Sequence, residues 1–218
     1  MVIRVKMKVI ETLEKFKIVP VATIDDKKHA IPLANSLIKA GLPILEITFR
    51  SSTAADAIML ISKNFPNILI GAGTVLKIEQ IKHATASGAQ FIVTPGFNPK
   101  IVDYCLEKDI LIIPGLNTPT MVEWALDRNL ELVKFFPADI SGGSKMLKTL
   151  FGPYPTMKFI PTGGVNNSNI LEYLNLKNVL CVGGSWIVRK ELISSEKFDD
   201  IGKLTREALA LVKKSELI

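Results

Sequence analysis

The chain of 218 residues is 48% hydrophobic and 22% charged, a balance that suits one compact domain over residues 1–218 with a substantial core. Its formal net charge of +6 is dispersed: the adjacent basic pairs Lys27-Lys28, Arg189-Lys190 and Lys213-Lys214 lie far apart, and no basic stripe is interleaved with aromatics, which argues against a nucleic-acid partner. No apolar run reaches the roughly 18 residues of a membrane span, the mixed N-terminus (Arg4, Lys6, Lys8, Glu11, Glu14, Lys15) lacks the apolar stretch of a signal peptide, and two distant cysteines, Cys105 and Cys181, fit a reduced cytoplasmic setting.

An amphipathic helix opens the chain, and apolar runs of strand length then alternate with helical patterns. Lys17 to Ile24 reads as the first strand, and Asp26 to Ala40 as a helix stopped by Gly41. Strands follow at 43–50, 67–72, 90–94, 110–113, 131–136, 157–161 and 179–182, each with a helix behind it. Those helices cover 52–63, 77–87 (stopped by Gly88), 99–108, 119–128, 144–151, 168–174 and 198–213. Pro95-Gly96, Pro114-Gly115, Pro137-Ala138 and Pro161-Thr162-Gly163 each set a proline and a small residue where a strand stops. Alternating βα units imply a parallel sheet, and eight of them favour an α/β fold of the (β/α)8 TIM-barrel type with an extra N-terminal helix. An open doubly wound sheet would call for a glycine-rich turn after the first strand, where Thr23-Ile24-Asp25-Asp26 stands instead.

In such a barrel, polar residues near the C-terminal ends of strands carry the functional signal. The run Glu131-Leu132-Val133-Lys134-Phe135-Phe136-Pro137 sets a lysine inside an apolar strand. Lysine is rarely buried without a partner or a chemical role, and burial favours its uncharged, nucleophilic form. Lys134 is therefore either an amine that condenses with a carbonyl or a strand-end lysine that snorkels or pairs with a carboxylate. Alternation in Ile44-Leu45-Glu46-Ile47-Thr48-Phe49-Arg50 puts Glu46, Thr48 and Arg50 on the inner face. Glu46 is the candidate acid/base beside Lys134, against the alternative of a buried ion pair. Arg50 at the rim suits a substrate carboxylate.

Glycines of the run Gly71-Ala72-Gly73-Thr74 permit close backbone approach, and Thr74 either faces the centre or caps a helix. Thr162-Gly163-Gly164-Val165 and Gly183-Gly184-Ser185 follow the seventh and eighth strands, where barrels commonly bind phosphate through backbone N–H groups. His29 and His83 read as ordinary helix-surface residues, and no His/carboxylate cluster suggests a metal or another cofactor. Trp124 and Trp186 read as packing residues.

Five segments together, Leu45-Glu46-Ile47-Thr48-Phe49-Arg50, Gly71-Ala72-Gly73-Thr74-Val75-Leu76, Val133-Lys134-Phe135-Phe136-Pro137-Ala138, Pro161-Thr162-Gly163-Gly164-Val165 and Val182-Gly183-Gly184-Ser185-Trp186, resemble the bacterial 2-keto-3-deoxy-6-phosphogluconate (KDPG)/4-hydroxy-2-oxoglutarate aldolases. The resemblance runs in order from about Val19 to Val188. It implies a metal-free class I aldolase, usually a homotrimer, that cleaves KDPG to pyruvate and glyceraldehyde 3-phosphate. It further implies Lys134 as Schiff-base lysine, Glu46 as acid/base, and Arg50 and Thr74 on the pyruvate carboxylate. Gly163, Gly164, Gly184 and Ser185 would hold phosphate, with Pro95, Phe136 and Thr162 lining the pocket. Thr94 departs from a more usual serine, Asp139-Ile140 from glutamate and a smaller residue, and the helix around Met121 to Ala125 is atypical; these bear on the choice of sugar acid. The alternatives are an aldolase for the galactonate epimer, one for unphosphorylated 4-hydroxy-2-oxoglutarate, and a non-catalytic phosphate-binding barrel.

Overall fold

Helix α1 (Val2–Phe16) turns Val9 and Leu13, four residues apart and so on one face, into the protein. Leu13 is fully buried and helps wall a small internal chamber together with Val19, Phe91 and Ile113. The computed structural model describes residues 2–215; Met1 and residues 216–218 of the expected domain lie outside the described residues.

Strands β1 (Ile18–Ala22), β2 (Ile44–Thr48), β3 (Leu69–Gly73), β4 (Phe91–Val93), β5 (Ile112–Ile113) and β9 (Val182–Gly184) form one sheet in the order β5-β4-β3-β2-β1-β9. Strands β6 (Gly115–Leu116), β7 (Leu132–Phe135) and β8 (Lys158–Pro161) form a second. Every strand pair is parallel. The chain passes from β5 to β6 through Pro114, whose carbonyl accepts from the Lys134 N–H at 2.9 Å. At the other side, parallel bridges Phe159↔Val179 and Thr162↔Gly183 tie β8 to the segment of β9. The parallel sheet is thus curled, with links between its two parts on both sides.

Helices α2 (Ala30–Lys39), α3 (Ala54–Asn64), α4 (Ile78–Ala86), α5 (Pro99–Glu107), α6 (Pro119–Leu126), α7 (Gly143–Leu150) and α8 (Ile170–Leu174) follow strands in turn, and α9 (Lys190–Ser194) and α10 (Phe198–Ser215) close the chain. Asn98 and Thr118 cap α5 and α6, each accepting a backbone N–H two or three residues on, with proline at the first helical position. The strands are buried almost continuously, as parallel strands covered on both faces must be. One apolar core joins α1, the strands and the inner faces of the helices.

Three local details differ from the sequence reading. The fifth strand, expected to stop at Pro114, is followed directly after that proline by a further two-residue strand, β6, which pairs with β7. The last strand runs over Val182–Gly184 rather than 179–182, and a short helix, α9, follows it unannounced. His29 is no surface residue: it is 7% exposed, in a 3₁₀ turn ahead of α2, with its Nε2 3.3 Å from Glu196 Oε1. His83 is exposed, as expected.

Candidate active site

Strand β7 carries Lys134 with its side chain directed inward, because Val133 and Phe135 on either side pack outward into the core. From the other sheet segment, β2 presents Glu46 by the same alternation. The two residues are 5% and 4% exposed, and Lys134 Nζ stands 3.9 Å from Glu46 Oε1. That separation is too long for a hydrogen bond. Glu46 Oε1 has no hydrogen-bond partner and is fully enclosed. Burial pushes the Glu46 carboxyl above its ordinary range, with the charges of Lys134 and then Arg50 pulling partly the other way.

Lys134 sits on a boundary between two spaces. Outward of it opens a cavity of about 380 Å³, lined also by Arg50, Thr74, Phe136, Thr162, Gly163, Gly164, Gly184 and Ser185. Inward lies a chamber of about 10 Å³ walled by Leu13, Val19, Glu46, Phe91, Val93, Ile113, Ile160 and Thr162, with room for about one water molecule. The Nζ also lies 5.1 Å from the centre of the Phe136 ring. An amine thus faces the open cavity with a protonatable carboxyl behind it.

The rest of the cavity is shaped by loops. Arg50 follows β2 and is exposed at the rim. Thr74 follows β3 with a φ of +54°, a left-handed conformation that a β-branched residue rarely takes. Gly163 and Gly164 have φ of +94° and +86°; a Cβ on Gly163 would crowd the Phe136 ring and one on Gly164 would run into the Asp139 side chain. The Gly164 carbonyl accepts from the Asn166 and Asn169 side chains at 3.1 and 3.0 Å, which turns it away and fixes the loop. Trp186 packs over Gly184 and donates its indole N–H to Asn167 Oδ1 at 2.8 Å, so it is a packing residue.

Of the eleven candidate residues, the structure brings nine, Arg50, Thr74, Lys134, Phe136, Thr162, Gly163, Gly164, Gly184 and Ser185, to one cavity, with Glu46 directly behind Lys134. Pro95 is the exception. It lies outside the lining, and its backbone carbonyl presses on Gly115 where a Cβ would stand. Thr94 acts locally, its hydroxyl donating to the Gly96 carbonyl at 2.7 Å and accepting from the Gly115 N–H at 3.4 Å. The sequence reading missed Thr23, which bonds Thr48 at 2.8 Å, and the cavity residues Arg189, Lys190 and Glu191. The basic pair Arg189-Lys190, four residues past Ser185, was the available signal. Among the described residues no three His, Cys, Asp or Glu side chains gather as metal ligands.

The model of the KDPG and KHG aldolases matches residues 9–204. The chain belongs to that family. A 2-dehydro-3-deoxy-phosphogluconate aldolase of Haemophilus influenzae is 50% identical over 205 residues, which is 94% of this chain and 97% of the relative. A KHG/KDPG aldolase of Escherichia coli K12 is 41% identical over 192 residues, 88% of this chain and 90% of the relative. Among solved structures, a KDPG aldolase from Legionella pneumophila with pyruvate captured at low pH as a covalent carbinolamine superposes with a TM-score of 0.89 at 38% identity, covering 92% of this chain and 97% of its own.

Proposed function

We propose that this family member is a class I, metal-independent aldolase that cleaves 2-keto-3-deoxy-6-phosphogluconate to pyruvate and D-glyceraldehyde 3-phosphate. The observation that carries the reading is Lys134, buried at the floor of a polar-lined cavity with the enclosed Glu46 carboxyl 3.9 Å behind it. Relatives at 50% and 42% identity named for the same phosphogluconate aldolase support the substrate, and the carbinolamine of the Legionella protein supports the covalent route.

The unprotonated amine of Lys134 attacks the C2 ketone, and Glu46 relays protons as the carbinolamine forms and loses water. The iminium that results draws electrons from the C3–C4 bond. Glu46 accepts the C4 hydroxyl proton, glyceraldehyde 3-phosphate departs, and the pyruvate enamine is reprotonated and hydrolysed. A carboxyl held above its ordinary range suits a group that must both give and take a proton near neutrality. Arg50 and Thr74 hold the carboxylate so that the ketone carbon stays aligned with the amine. Backbone groups of Gly163, Gly164 and Gly184 and the Ser185 hydroxyl hold the phosphate, with Phe136 and Thr162 as walls.

The name KHG/KDPG aldolase on the Escherichia coli relative favours a second substrate, 4-hydroxy-2-oxoglutarate, yielding pyruvate and glyoxylate. The galactonate epimer stands as the competing phosphorylated substrate. We further infer that β5 and β6 act as one strand and the curled sheet closes as a single-domain (β/α)8 barrel. A homotrimer is also inferred, for which the exposed Leu76, Trp124, Leu126 and Ile140 offer apolar surface. Among the described residues no helix is long and apolar enough to cross a membrane, in keeping with a cytoplasmic enzyme.

Incubation with pyruvate and borohydride tests the function. A mass increase localised to Lys134, absent from Lys134→Arg, is the expected result. No adduct on Lys134 would leave a non-catalytic phosphate-binding protein.

A further inference from the structure

Besides Lys134 and Arg50, two more cations line the 380 Å³ cavity, Arg189 and Lys190, against a single acid, Glu191. They arrive together just beyond Gly184 and Ser185, at the end assigned above to phosphate. A phosphate monoester carries about −1.5 to −2 charges at pH 7. The backbone N–H groups around it supply dipoles and no formal charge. A cation at that end adds a charge-assisted contact beyond those dipoles and strengthens the preference for phosphate over an uncharged terminus.

Lys190 is held where it could serve. Its Nζ lies 2.6 Å from Asp25 Oδ2, in the loop that follows β1. That loop is pinned: the Ile24 carbonyl, one residue earlier, accepts from the hydroxyls of Ser51 (2.6 Å) and Thr53. Thr23 of the same loop lines the cavity, as does Lys190, so the ion pair ties the β1 loop to the first residue of α9 beside it. Both side chains are more than half exposed, 59% and 55%, and an exposed ion pair of this kind is weak and readily exchanged.

We propose that Lys190 is a specificity-determining residue whose ammonium moves from Asp25 to the substrate's phosphate. This rests on the aldolase reading and deepens it. Asp25 is the resting counter-charge. A dianionic phosphate displaces its single negative charge, whereas a terminal hydroxyl does not, so the exchange itself discriminates between a phosphorylated keto sugar acid and its unphosphorylated form.

Steady-state kinetics on Lys190→Met and Asp25→Asn, with 2-keto-3-deoxy-6-phosphogluconate and the same acid without its phosphate, 2-keto-3-deoxygluconate, test the proposal. Lys190→Met raises KM for the phosphorylated substrate about tenfold, the scale of one charge-assisted contact at a solvent-exposed site. The KM for 2-keto-3-deoxygluconate moves far less, and kcat for the phosphorylated substrate stays within about twofold. Asp25→Asn lowers KM for the phosphorylated substrate about threefold, since a competing negative charge is gone. Calorimetric titration with glycerol 3-phosphate follows the same order in affinity. An unchanged KM and glycerol 3-phosphate affinity in Lys190→Met overturns the proposal, as does a parallel loss for both substrates or a raised KM in Asp25→Asn. The pyruvate–borohydride adduct separates the two levels. If the wild-type chain forms none, the aldolase reading fails, and the glycerol 3-phosphate titration still decides the role of Lys190.

Discussion

The Glu46 carboxyl group lies directly over Gly73, with its Cδ and Cγ 2.6 and 2.8 Å from where a Cβ on that glycine would stand. The pair sits on neighbouring strands, and Glu46 reaches the space only because residue 73 has no side chain. Gly73→Ala should drive the carboxyl away from Lys134 while leaving the lysine in place. The expected outcome is a fall in kcat of about 10²–10⁴, the contribution of a general acid/base, with pyruvate still trapped on Lys134 by borohydride at long incubation. An unaltered kcat would mean that Glu46 works equally well from another position.

Glu46 also sets a pH dependence of stability. Its folded-state pKa is raised above the ordinary 4.5, so the folded protein keeps this proton in a range where the unfolded chain has released it. The folded state then binds more protons than the unfolded one, and this contribution to stability is lost as pH rises from the ordinary carboxylate range through the raised value. Glu46→Gln removes the proton exchange. Thermal melts between pH 4 and pH 8 should show wild type losing ground to Glu46→Gln as pH rises. The slope is the informative quantity, because any pH-independent cost of the substitution leaves it unchanged.

Thr74 offers a separation of stability from activity. Its φ of +54° costs about 1–3 kcal/mol in a β-branched residue. Thr74→Gly relieves that strain and should raise the melting temperature or leave it level against the added chain entropy. It also removes the hydroxyl assigned to the pyruvate carboxylate, so KM for keto acid should rise several-fold. A variant that is both less stable and fully active would contradict the assignment.

Neither cysteine should respond to thiol reagents in the folded state. Cys105 and Cys181 are buried. Burial pushes the Cys105 thiol up to about 12, and Cys181 higher still. Iodoacetamide at pH 8 should label them only in denaturant, with activity retained after treatment of the native protein. Labelling of native protein with matching loss of activity would show an opening of the core that the packing does not suggest.

Much of this site could be read from the chain because its signals are exceptions to burial rules. Lys134 inside Leu132-Val133-Lys134-Phe135 and Glu46 inside Ile44-Leu45-Glu46-Ile47 break apolar strands, and alternation alone turns both inward. Gly163, Gly164 and Gly184 were legible because their loops follow identifiable strands. Lys190 and Asp25 were not, since a surface lysine and a loop aspartate are common, and only folding brings residues 165 positions apart (190 − 25) to 2.6 Å. His29 was misjudged for a related reason: a helical pattern does not say which face another element will cover, and here Phe198 and Glu196 cover it. Pro95 was assigned by resemblance; its backbone carbonyl lies against Gly115, and it is not among the residues lining the cavity. Pro114 reads as a strand stop in the sequence, and the short strand that resumes at Gly115 is recognisable only once its partner β7 is in place.

Strand β3 works by what it omits. Gly71 leaves the space that the Phe91 ring fills from β4, and Gly73 leaves the space that Glu46 fills from β2. A single strand thus lends its volume to both neighbours, one supplying an oily wedge and the other a buried carboxyl. Mutational drift in this lineage should therefore find β3 a rigid bottleneck: either glycine can grow only if the residue leaning on it shrinks in the same step.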